Sequence, residues 1–322
     1  MKLTKTERFY TEKTNLHWRN RHRMRYDFTK LIQECVALKP YVYINDYEDA
    51  SIDFANYAAV KMLNRALLKS FYNINNWDIP EGYLCPPVPG RADYIHNMAD
   101  LLASLNNGII PKGKLVNVID IGVGANCIYP LIAQFEYGWN FVGSDIDPVA
   151  IGSAQKIIAA NEQLHDAIQL RLQKNPSSIF KGIWNTDDKF DLSICNPPFH
   201  ASLAEAQAGT QRKLKNLGYN QTKKPMLNFG GKQMELSCKG GESGFVRQMI
   251  KESSAMPLAC LWYSTLVSKK ENLPAIYQAL KMVKAFAVKT IPMAQGQKMS
   301  RIVAWSFLNE KEQNEWKKKW KK

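Results

Sequence analysis

The chain has 322 residues, with 43 Lys and Arg against 29 Asp and Glu and a formal net charge of +14. With 45% hydrophobic residues and 13 Phe, 14 Tyr and 8 Trp, it can bury a substantial core, which excludes a wholly disordered protein. The excess of positive charge indicates a polyanionic partner and says little about the fold.

Three features of the sequence argue against membrane insertion, export and metal binding. The longest apolar stretch, residues 115–135, is interrupted by Asp120 and cannot span a bilayer. The N-terminus has a basic start but lacks the apolar run of a signal peptide. The six cysteines form no CxxC pair and have no histidine at metal-ligand spacing, so we expect reduced thiols in a cytoplasmic protein without a metal.

A basic segment with aromatic neighbours lies near the N-terminus. Residues 1–40 carry ten basic and four acidic side chains. Alternating cations are typical of an irregular arm that follows phosphates, and a nearby aromatic ring can stack on a base. The alternative is a solvated surface segment. The residues that we expect to bind RNA in this arm are Trp18, Arg19, Arg21, Arg23 and Arg25.

Two smaller basic groups lie further along the chain. The first contains Arg212, Lys213 and Lys215, inside a Gly-, Lys-, Asn- and Gln-rich stretch over residues 201–243. This stretch is too long for an ordinary connection, so we expect a functional or disordered insertion. The second is the lysine-rich tail at 317–322, for which an RNA contact and a disordered end both stay open.

A proline-rich segment divides the sequence. Pro86, Pro87 and Pro89 disfavour a continuing helix and predict a rigid, extended connection. Before them, helical spacing of apolar residues over 54–72 indicates a mostly helical appendage. The predicted organisation is therefore an appendage, a core domain and a tail, over residues 1–90, 91–310 and 311–322.

After the proline-rich segment, short β-rich runs alternate with helical segments. The predicted strands are 115–121, 141–145, 168–172, 190–195, 257–263, 284–290 and 301–307. The predicted helices are 94–105, 128–137, 148–162, 244–254 and 271–282. This alternation predicts an α/β fold with a doubly wound, mostly parallel sheet that binds ligands at the carboxyl ends of its strands. The last two strands are too close for a crossover helix, so we expect them to pair antiparallel.

The first predicted strand of this sheet ends in a glycine-containing turn. Asp120 is followed by Gly122 and Gly124, which let the backbone approach a nucleotide. Cys127 stands where a dinucleotide loop needs a third glycine, which argues against NAD. A purely structural turn stays open on this pattern alone.

The second predicted strand ends at an acidic residue. Asp145 can accept hydrogen bonds from both hydroxyls of a ribose, and Asp147 before Pro148 is typical of a helix N-cap. Together with the glycine turn, this pattern predicts a pocket for S-adenosylmethionine.

The fourth predicted strand is followed by Asn196, Pro197, Pro198 and Phe199. Adenine N6 is a poor nucleophile because its lone pair is delocalised into the ring. The Asn196 side-chain oxygen and the Pro197 carbonyl can accept both amino hydrogens and so orient that lone pair. Phe199 can stack on a flipped base, and the prolines stiffen the turn. We therefore predict that these four residues are catalytic.

Several sequence blocks resemble the RlmF-type 23S ribosomal RNA adenine-N6 methyltransferases and their eukaryotic RNA relatives, over nearly the whole chain. These blocks are Leu16–Arg21, Trp77–Pro80, Leu84–Pro87, Gly90–His96, Asn196–Phe199, Gly244–Ile250 and Met293–Lys298. Other methyltransferases share the Asn-Pro-Pro-aromatic turn but not the flanking blocks.

The resemblance implies a class I, Rossmann-like S-adenosylmethionine-dependent methyltransferase with seven strands and an antiparallel last strand. Matched by position, Arg91 would bind the cofactor carboxylate, Asp145 the ribose and Gln173 the adenine edge, while Asn196–Phe199 would hold the target adenine. It also implies an N-terminal RNA-binding region. We expect a monomer acting on 23S ribosomal RNA, free or in an assembly intermediate.

Two other functions use the same residues. The turn could methylate a protein glutamine or a DNA adenine, because those enzymes share it. A non-catalytic RNA-binding or ribosome-assembly factor that retains the pocket is the third hypothesis, and the intact acidic residues and turn disfavour it.

Overall fold

A seven-stranded sheet with helices on both faces forms the centre of the protein. The computed structural model of the chain describes residues 12–199, 235, 237–295 and 298–321. Outside the described residues lie most of the predicted 201–243 insertion and three predicted RNA-binding residues, Arg212, Lys213 and Lys215.

The described residues form strands and helices with the following bounds. The strands are β1 (Val42–Ile44), β2 (Ala50–Ile52), β3 (Asn117–Ile121), β4 (Asn140–Asp145), β5 (Ile168–Leu172), β6 (Phe190–Cys195), β7 (Cys260–Val267), β8 (Ala287–Gln295) and β9 (Lys298–Ser306). The α-helices are α1 (Phe28–Glu34), α2 (Tyr57–Tyr72), α3 (Val88–Leu105), α4 (Ile128–Tyr137), α5 (Pro148–Ala159), α6 (Gly241–Ser254), α7 (Leu273–Met282) and α8 (Glu310–Trp316).

The large sheet has the strand order β5-β4-β3-β6-β7-β9-β8. Strands β5, β4, β3, β6 and β7 pair in parallel with one another, and β9 runs antiparallel to both β7 and β8. The predicted α/β class, seven strands and antiparallel last strand are confirmed. Because β3 is flanked by β4 and β6, the carboxyl ends of these three strands meet at one edge.

Three strand predictions were wrong in their bounds, and β9 begins three residues before its predicted start. The structure places β7 and β8 three residues or more further along the chain than predicted. Lys284, predicted to begin a strand, has φ +56° and turns the chain after α7. Pro292 lies within β8, where it is tolerated because β8 is the edge strand and one side of its backbone needs no ladder hydrogen bond.

The proline-rich segment leads directly into a helix. The prediction of an extended connection was therefore wrong from residue 88 onward. Pro87 is the N-cap of α3, and Pro89 lies in the first turn. Proline is tolerated there because first-turn N–H groups have no partner within the helix. The predicted division at residue 90 therefore falls inside α3.

Apolar side chains pack on both faces of the large sheet. One buried cluster joins the first face to α2, α3, α4 and α5, and a second joins the other face to α6 and α7. The first cluster contains residues from both the predicted appendage and the predicted core domain. The N-terminal helices are thus packed into the same core as the sheet.

The described part of the lysine-rich tail, residues 317–321, is folded onto the amino end of β6, so the structure disfavours the disordered end that the sequence left open. Asp191, fully buried, accepts hydrogen bonds from the indole N–H groups of Trp316 and Trp320, both at 2.9 Å. It also accepts from the backbone N–H of Asn117 at 2.7 Å and from Lys319 Nζ at 2.9 Å. Three of these four donors come from residues 316–320, and they hold this segment against the sheet.

Two buried histidines lie where the N-terminal segment meets the helices. The ring of His22 is within hydrogen-bond distance of Tyr72 Oη at 2.9 Å and Tyr26 Oη at 3.0 Å, and His96 Nδ1 lies 2.7 Å from Tyr137 Oη. Burial lowers the pKa of each histidine to about 3, with nearby positive charges adding to the effect. Both rings are therefore neutral at physiological pH.

We expect acid to destabilise the protein through these histidines. The unfolded chain binds protons near pH 6.5 and the folded chain does not, so stability falls as the pH drops below 6.5. Each histidine should lower the free energy of unfolding by about 1 kcal/mol as the pH falls from 6.5 to 5.5. Urea unfolding at pH 7.5, 6.5 and 5.5 measures this. A double His22→Gln and His96→Gln variant should lose this pH dependence, whereas His165→Gln, at an exposed position, should retain it.

Candidate active site

The turn after β3 forms an open backbone cradle at the carboxyl edge of the sheet. Gly122 has φ +76° and Gly124 φ +65°, a region that glycine enters without strain. A Cβ built on Gly122 would meet nothing within 4 Å, so space beside it is open. Cys127, at the position of the missing third glycine, also has a positive φ of 52°. The backbone therefore keeps a glycine-like conformation there despite the different residue.

Asp120 presents an unsatisfied carboxylate beneath this cradle. It is fully buried, and neither carboxylate oxygen has a hydrogen-bond partner among the described residues. Burial raises the pKa of Asp120 well above its usual value, and the charge of Asp145 adds to this, while Arg91 opposes it. A buried carboxyl group without donors is costly unless a ligand supplies them. S-adenosylmethionine carries an ammonium and a sulfonium group, so these residues fit the predicted cofactor.

Asp145 lies at the end of β4, beside the same cradle. One of its carboxylate oxygens accepts from the Gly124 backbone N–H at 2.9 Å, and the other accepts from the Asp147 N–H at 2.9 Å. Burial raises the pKa of Asp145, and the two backbone donors act against this rise. A carboxylate oxygen has capacity for further donors, so both ribose hydroxyls could bind here.

Arg91 approaches the site from α3. Its guanidinium donates to Tyr129 Oη at 2.8 Å and lies 5.4 Å from the centre of the Tyr129 ring. One hydrogen bond leaves other guanidinium donors unused by that contact, and a carboxylate is the ligand that their planar geometry suits.

Gln173 follows β5, but its side chain is occupied by the backbone around it. Its amide nitrogen donates to the Lys181 carbonyl at 2.9 Å, and its oxygen accepts from the Asn175 N–H at 3.0 Å. Glu252 fixes the same loop by accepting from the N–H groups of residues 179–181. In this structure Gln173 shapes the loop beyond β5, and its direct contact with a cofactor stays a prediction.

Residues 77–84 pack against the cofactor loop, although the sequence alone assigned them no role. Trp77 Nε1 donates to the Asn126 carbonyl at 2.9 Å, and Asn126 Nδ2 lies 3.4 Å from the Leu84 carbonyl. Tyr83 Oη donates to an Asp147 carboxylate oxygen at 2.5 Å. The signals in the sequence were the Trp77–Pro80 and Leu84–Pro87 blocks of the resemblance. The N-terminal segment thus supports the loops that form the proposed cofactor site.

The predicted catalytic turn leaves β6 at the same edge. Asn196 Oδ1 is buried and has no hydrogen-bond partner among the described residues. Pro197 is buried, and Phe199 packs partly against the core. Because β3 and β6 are paired with Ile121 beside Cys195, the Asn196 acceptor lies next to the glycine cradle. An unsatisfied amide oxygen beside a nucleotide cradle can accept a hydrogen bond from a substrate.

The four arginines of the N-terminal arm are ion-paired. Their guanidinium groups lie within 3.1 Å of carboxylates on the arm itself, on α3 and α4 or on the β1–β2 hairpin loop. The pairs are Arg19 with Asp100, Arg21 with Glu136, Arg23 with Glu12 and Arg25 with Asp49. The adjacent Trp18 is 69% exposed. The arm is therefore a folded surface of the protein, and its contact with RNA stays a prediction.

Comparison with known proteins identifies the family. A sequence profile described as RNA methyltransferase, Methyltransf_10, matches residues 10–309. The chain belongs to this family. It is 56% identical to ribosomal RNA large subunit methyltransferase F of Photobacterium profundum, covering 95% of each chain. It is 55% identical to the protein of that name from Serratia proteamaculans, covering 98% of this chain and 94% of the relative.

Solved structures of human METTL16 resemble the fold of this methyltransferase. Its catalytic domain in complex with the MAT2A 3′UTR hairpin 1 superposes with a TM-score of 0.77 at 29% identity, covering 92% of this chain and 96% of that one. The METTL16 N-terminal domain in complex with SAH gives a TM-score of 0.72 at 28% identity, covering 91% and 99%. The protein is thus an S-adenosylmethionine-dependent RNA methyltransferase, as predicted.

Two features of the described residues bear on other partners. Within the part of the chain that the structure describes, no group of three or more His, Cys, Asp or Glu side chains could hold a metal ion. None of the described helices combines the length and apolar character needed to cross a bilayer.

We expect Asp145→Ala to weaken cofactor binding by about 10²-fold. The change removes the proposed ribose acceptor and frees two backbone donors of the loop, and each hydrogen bond to a charged group contributes roughly 1.5 kcal/mol. Isothermal titration with S-adenosylmethionine measures the dissociation constant. Asp166→Ala, at an exposed carboxylate, is the control. A Kd for Asp145→Ala within about twofold of the unmodified protein would contradict the assignment.

Proposed function

We propose that this enzyme transfers a methyl group from S-adenosylmethionine to the exocyclic N6 of an adenine in 23S ribosomal RNA. It would act as a cytoplasmic monomer on free RNA or on an assembly intermediate. The observation that carries the proposal is the buried, unpaired Oδ1 of Asn196 beside the glycine cradle. The names of the bacterial relatives support ribosomal RNA as the substrate class.

The main chemical task of the protein is to orient the adenine N6 toward the methyl group. The cofactor, when bound, supplies an electrophilic methyl group on its sulfonium. Asn196 Oδ1 and the Pro197 carbonyl accept the two N6 hydrogens, which directs the N6 lone pair out of its conjugation with the ring. Phe199 stacks on the adenine and fixes its plane. No strong general base is required, because the amine becomes acidic only as the new bond forms and its proton can then leave to water.

RNA with an unpaired target fits this site better than a regular duplex. A base within a helix must be turned out of its stack before N6 can reach Asn196, at a cost of a few kcal/mol. In loops and bulges of RNA, bases are already partly unstacked, which removes much of this cost. The formal charge of +14 favours binding to such a polyanion.

The substrate class can be tested by tritium transfer from labelled S-adenosylmethionine. We expect incorporation into ribosomal RNA that lacks this methyl group, and background incorporation into duplex DNA and release-factor protein. Faster transfer to DNA or protein than to RNA would overturn the proposed substrate and favour the alternatives that share the turn.

The N-terminal unit, residues 1–90, is proposed to hold the RNA through its arm. Trp18 is exposed, and the Arg19 guanidinium lies 4.8 Å from its ring, which supports a platform for stacking on a base. The side chains of Arg21 and Arg25 are 45% and 40% exposed, so a phosphate can reach them beside their carboxylate partners. Arg19 is more buried and orients the platform. The core domain, residues 91–310, would carry out the reaction. The tail, residues 311–322, would stabilise that domain at the amino end of β6.

We expect the double variant Arg21→Gln and Arg25→Gln to bind RNA more weakly and with less salt dependence. Each lost contact with a single-stranded phosphate lowers the slope of log K against log salt by about 0.7. Fluorescence anisotropy across a salt series measures both effects, and cofactor affinity should not change. Lys112→Gln with Lys114→Gln removes two exposed charges elsewhere. An equal loss of RNA affinity in this control would mean that binding depends on net charge and not on the arm.

A further inference from the structure

Tyr94 lies beneath the proposed catalytic turn, in a position that the chemistry described above leaves without a role. It belongs to α3 and is fully buried. Its phenol oxygen is 3.0 Å from Ser264 Oγ and 3.4 Å from both the backbone nitrogen and the carbonyl oxygen of Cys195. Cys195 is the last residue of β6 and directly precedes Asn196.

The Tyr94 hydroxyl fills the point where β6 and β7 separate. The paired positions of these strands end at Ser193 and Tyr263, two residues before Cys195. Beyond that point, Ser264 Oγ donates to the Ser193 carbonyl at 2.7 Å. This bond uses the only proton of the Ser264 hydroxyl, so Tyr94 donates to Ser264 and accepts from the Cys195 N–H. Two side-chain hydroxyls thus replace the missing part of the β-ladder.

The same residue is packed against the cofactor side of the site. The Tyr94 ring meets the Tyr129 ring edge to face, with centroids 5.3 Å apart, and Tyr129 Oη accepts from Arg91. Arg91 and Tyr94 are three residues apart in α3 and therefore project from one side of the helix. One helical turn thereby contacts both the proposed cofactor ligand and the strand that leads to Asn196.

A role for Tyr94 as a proton acceptor is disfavoured. Burial raises its pKa well above the usual value for tyrosine, so the hydroxyl stays protonated. Its contacts are with Ser264 and the backbone of Cys195 rather than with the open side of the cradle. What the hydroxyl can do is hold a peptide group in place.

We propose that Tyr94 is a positioning residue for methyl transfer, an inference that rests on the function proposed above. Its hydroxyl fixes the Cys195 peptide, and that peptide sets the direction in which Asn196 and Pro197 present their acceptor oxygens. Misplacing such groups by about 1 Å can lower a rate by about 10²-fold. Loss of the hydroxyl should therefore slow the chemical step while leaving both ligands able to bind.

The test compares Tyr94→Phe with Tyr263→Phe under single-turnover conditions. Tyr94→Phe keeps the ring contact with Tyr129, and we expect its methyl-transfer rate to fall by roughly 10- to 100-fold. The Kd values for S-adenosylmethionine and RNA should stay within about twofold of the unmodified protein. Tyr263→Phe removes another hydroxyl from the same sheet, one that donates to the Met256 carbonyl at 2.7 Å, and should leave the rate unchanged.

A second pair of variants tests the network. Ser264→Ala should also slow transfer, and Tyr94→Phe combined with Ser264→Ala should be no slower than the slower single variant, as expected for residues that act through one another. A Tyr94→Phe rate above half that of the unmodified protein would overturn the inference. So would an equal loss in Tyr263→Phe, or a loss of rate matched by a loss of ligand binding. If the unmodified protein transfers no methyl group to RNA, the proposed function itself fails instead.

Discussion

Replacing Asn196 by alanine is expected to lower the rate of methyl transfer by on the order of 10³-fold. In the proposed mechanism the buried side-chain oxygen accepts one N6 hydrogen, and without it the amine keeps its lone pair in the ring system. The proposed cofactor ligands are other residues, among them Arg91, Asp120 and Asp145, so S-adenosylmethionine should bind with unchanged affinity. Single-turnover transfer to RNA, together with titration of the cofactor, separates the two effects.

Asn196→Asp provides the matched comparison for this prediction. It keeps an acceptor oxygen at nearly the same place, so its rate should exceed that of Asn196→Ala. An alanine variant with more than about a tenth of the normal rate would contradict the proposed role, because the loss of one well-placed group in a buried site costs more than this.

The largest expected effect on stability comes from Asp191, at the opposite end of β6. Asp191→Ala should lower the free energy of unfolding by about 3–5 kcal/mol, because Lys319 loses its buried partner and both tail indoles lose their acceptor. Urea unfolding monitored by tryptophan fluorescence measures the change and reports release of the tail.

An exposed ion pair in the same tail is the control. Lys318 Nζ and Glu315 Oε1 lie 2.6 Å apart on the surface. Glu315→Ala should lower the free energy of unfolding by less than about 1 kcal/mol. Should Asp191→Ala also cost less than about 1 kcal/mol, the tail would not be anchored by this carboxylate.

The sequence pattern predicted those parts of the fold and of the site that are determined by residues close together in the sequence. The bounds of β5, β6 and α4 agree with the prediction to the residue. In β5 and β6 apolar and polar residues alternate, as is typical of a strand, and α4 is a mostly apolar segment that ends before Gly138. Asp120, Asp145 and Asn196 could be selected because each lies within one residue of the end of a strand, and parallel strands end at one edge of a sheet.

Contacts between distant residues could not be predicted. Nothing local indicated that the tail lysines and tryptophans meet Asp191, or that the arm arginines meet carboxylates as far along the chain as Glu136. The same holds for Trp77 and its bond to the Asn126 carbonyl. The charge and spacing of residues give information about one segment at a time. These partners lie far apart in the sequence and meet only through tertiary packing.

The most direct test of the account is to map N6-methyladenine in 23S ribosomal RNA. RNA from a strain that lacks this gene is incubated with the protein and S-adenosylmethionine, digested and analysed by mass spectrometry. We predict one new N6-methyladenine in the treated RNA, and none when Asn196→Ala replaces the unmodified protein. No new N6-methyladenine with the unmodified protein, on either free RNA or large-subunit assembly intermediates, would contradict the account.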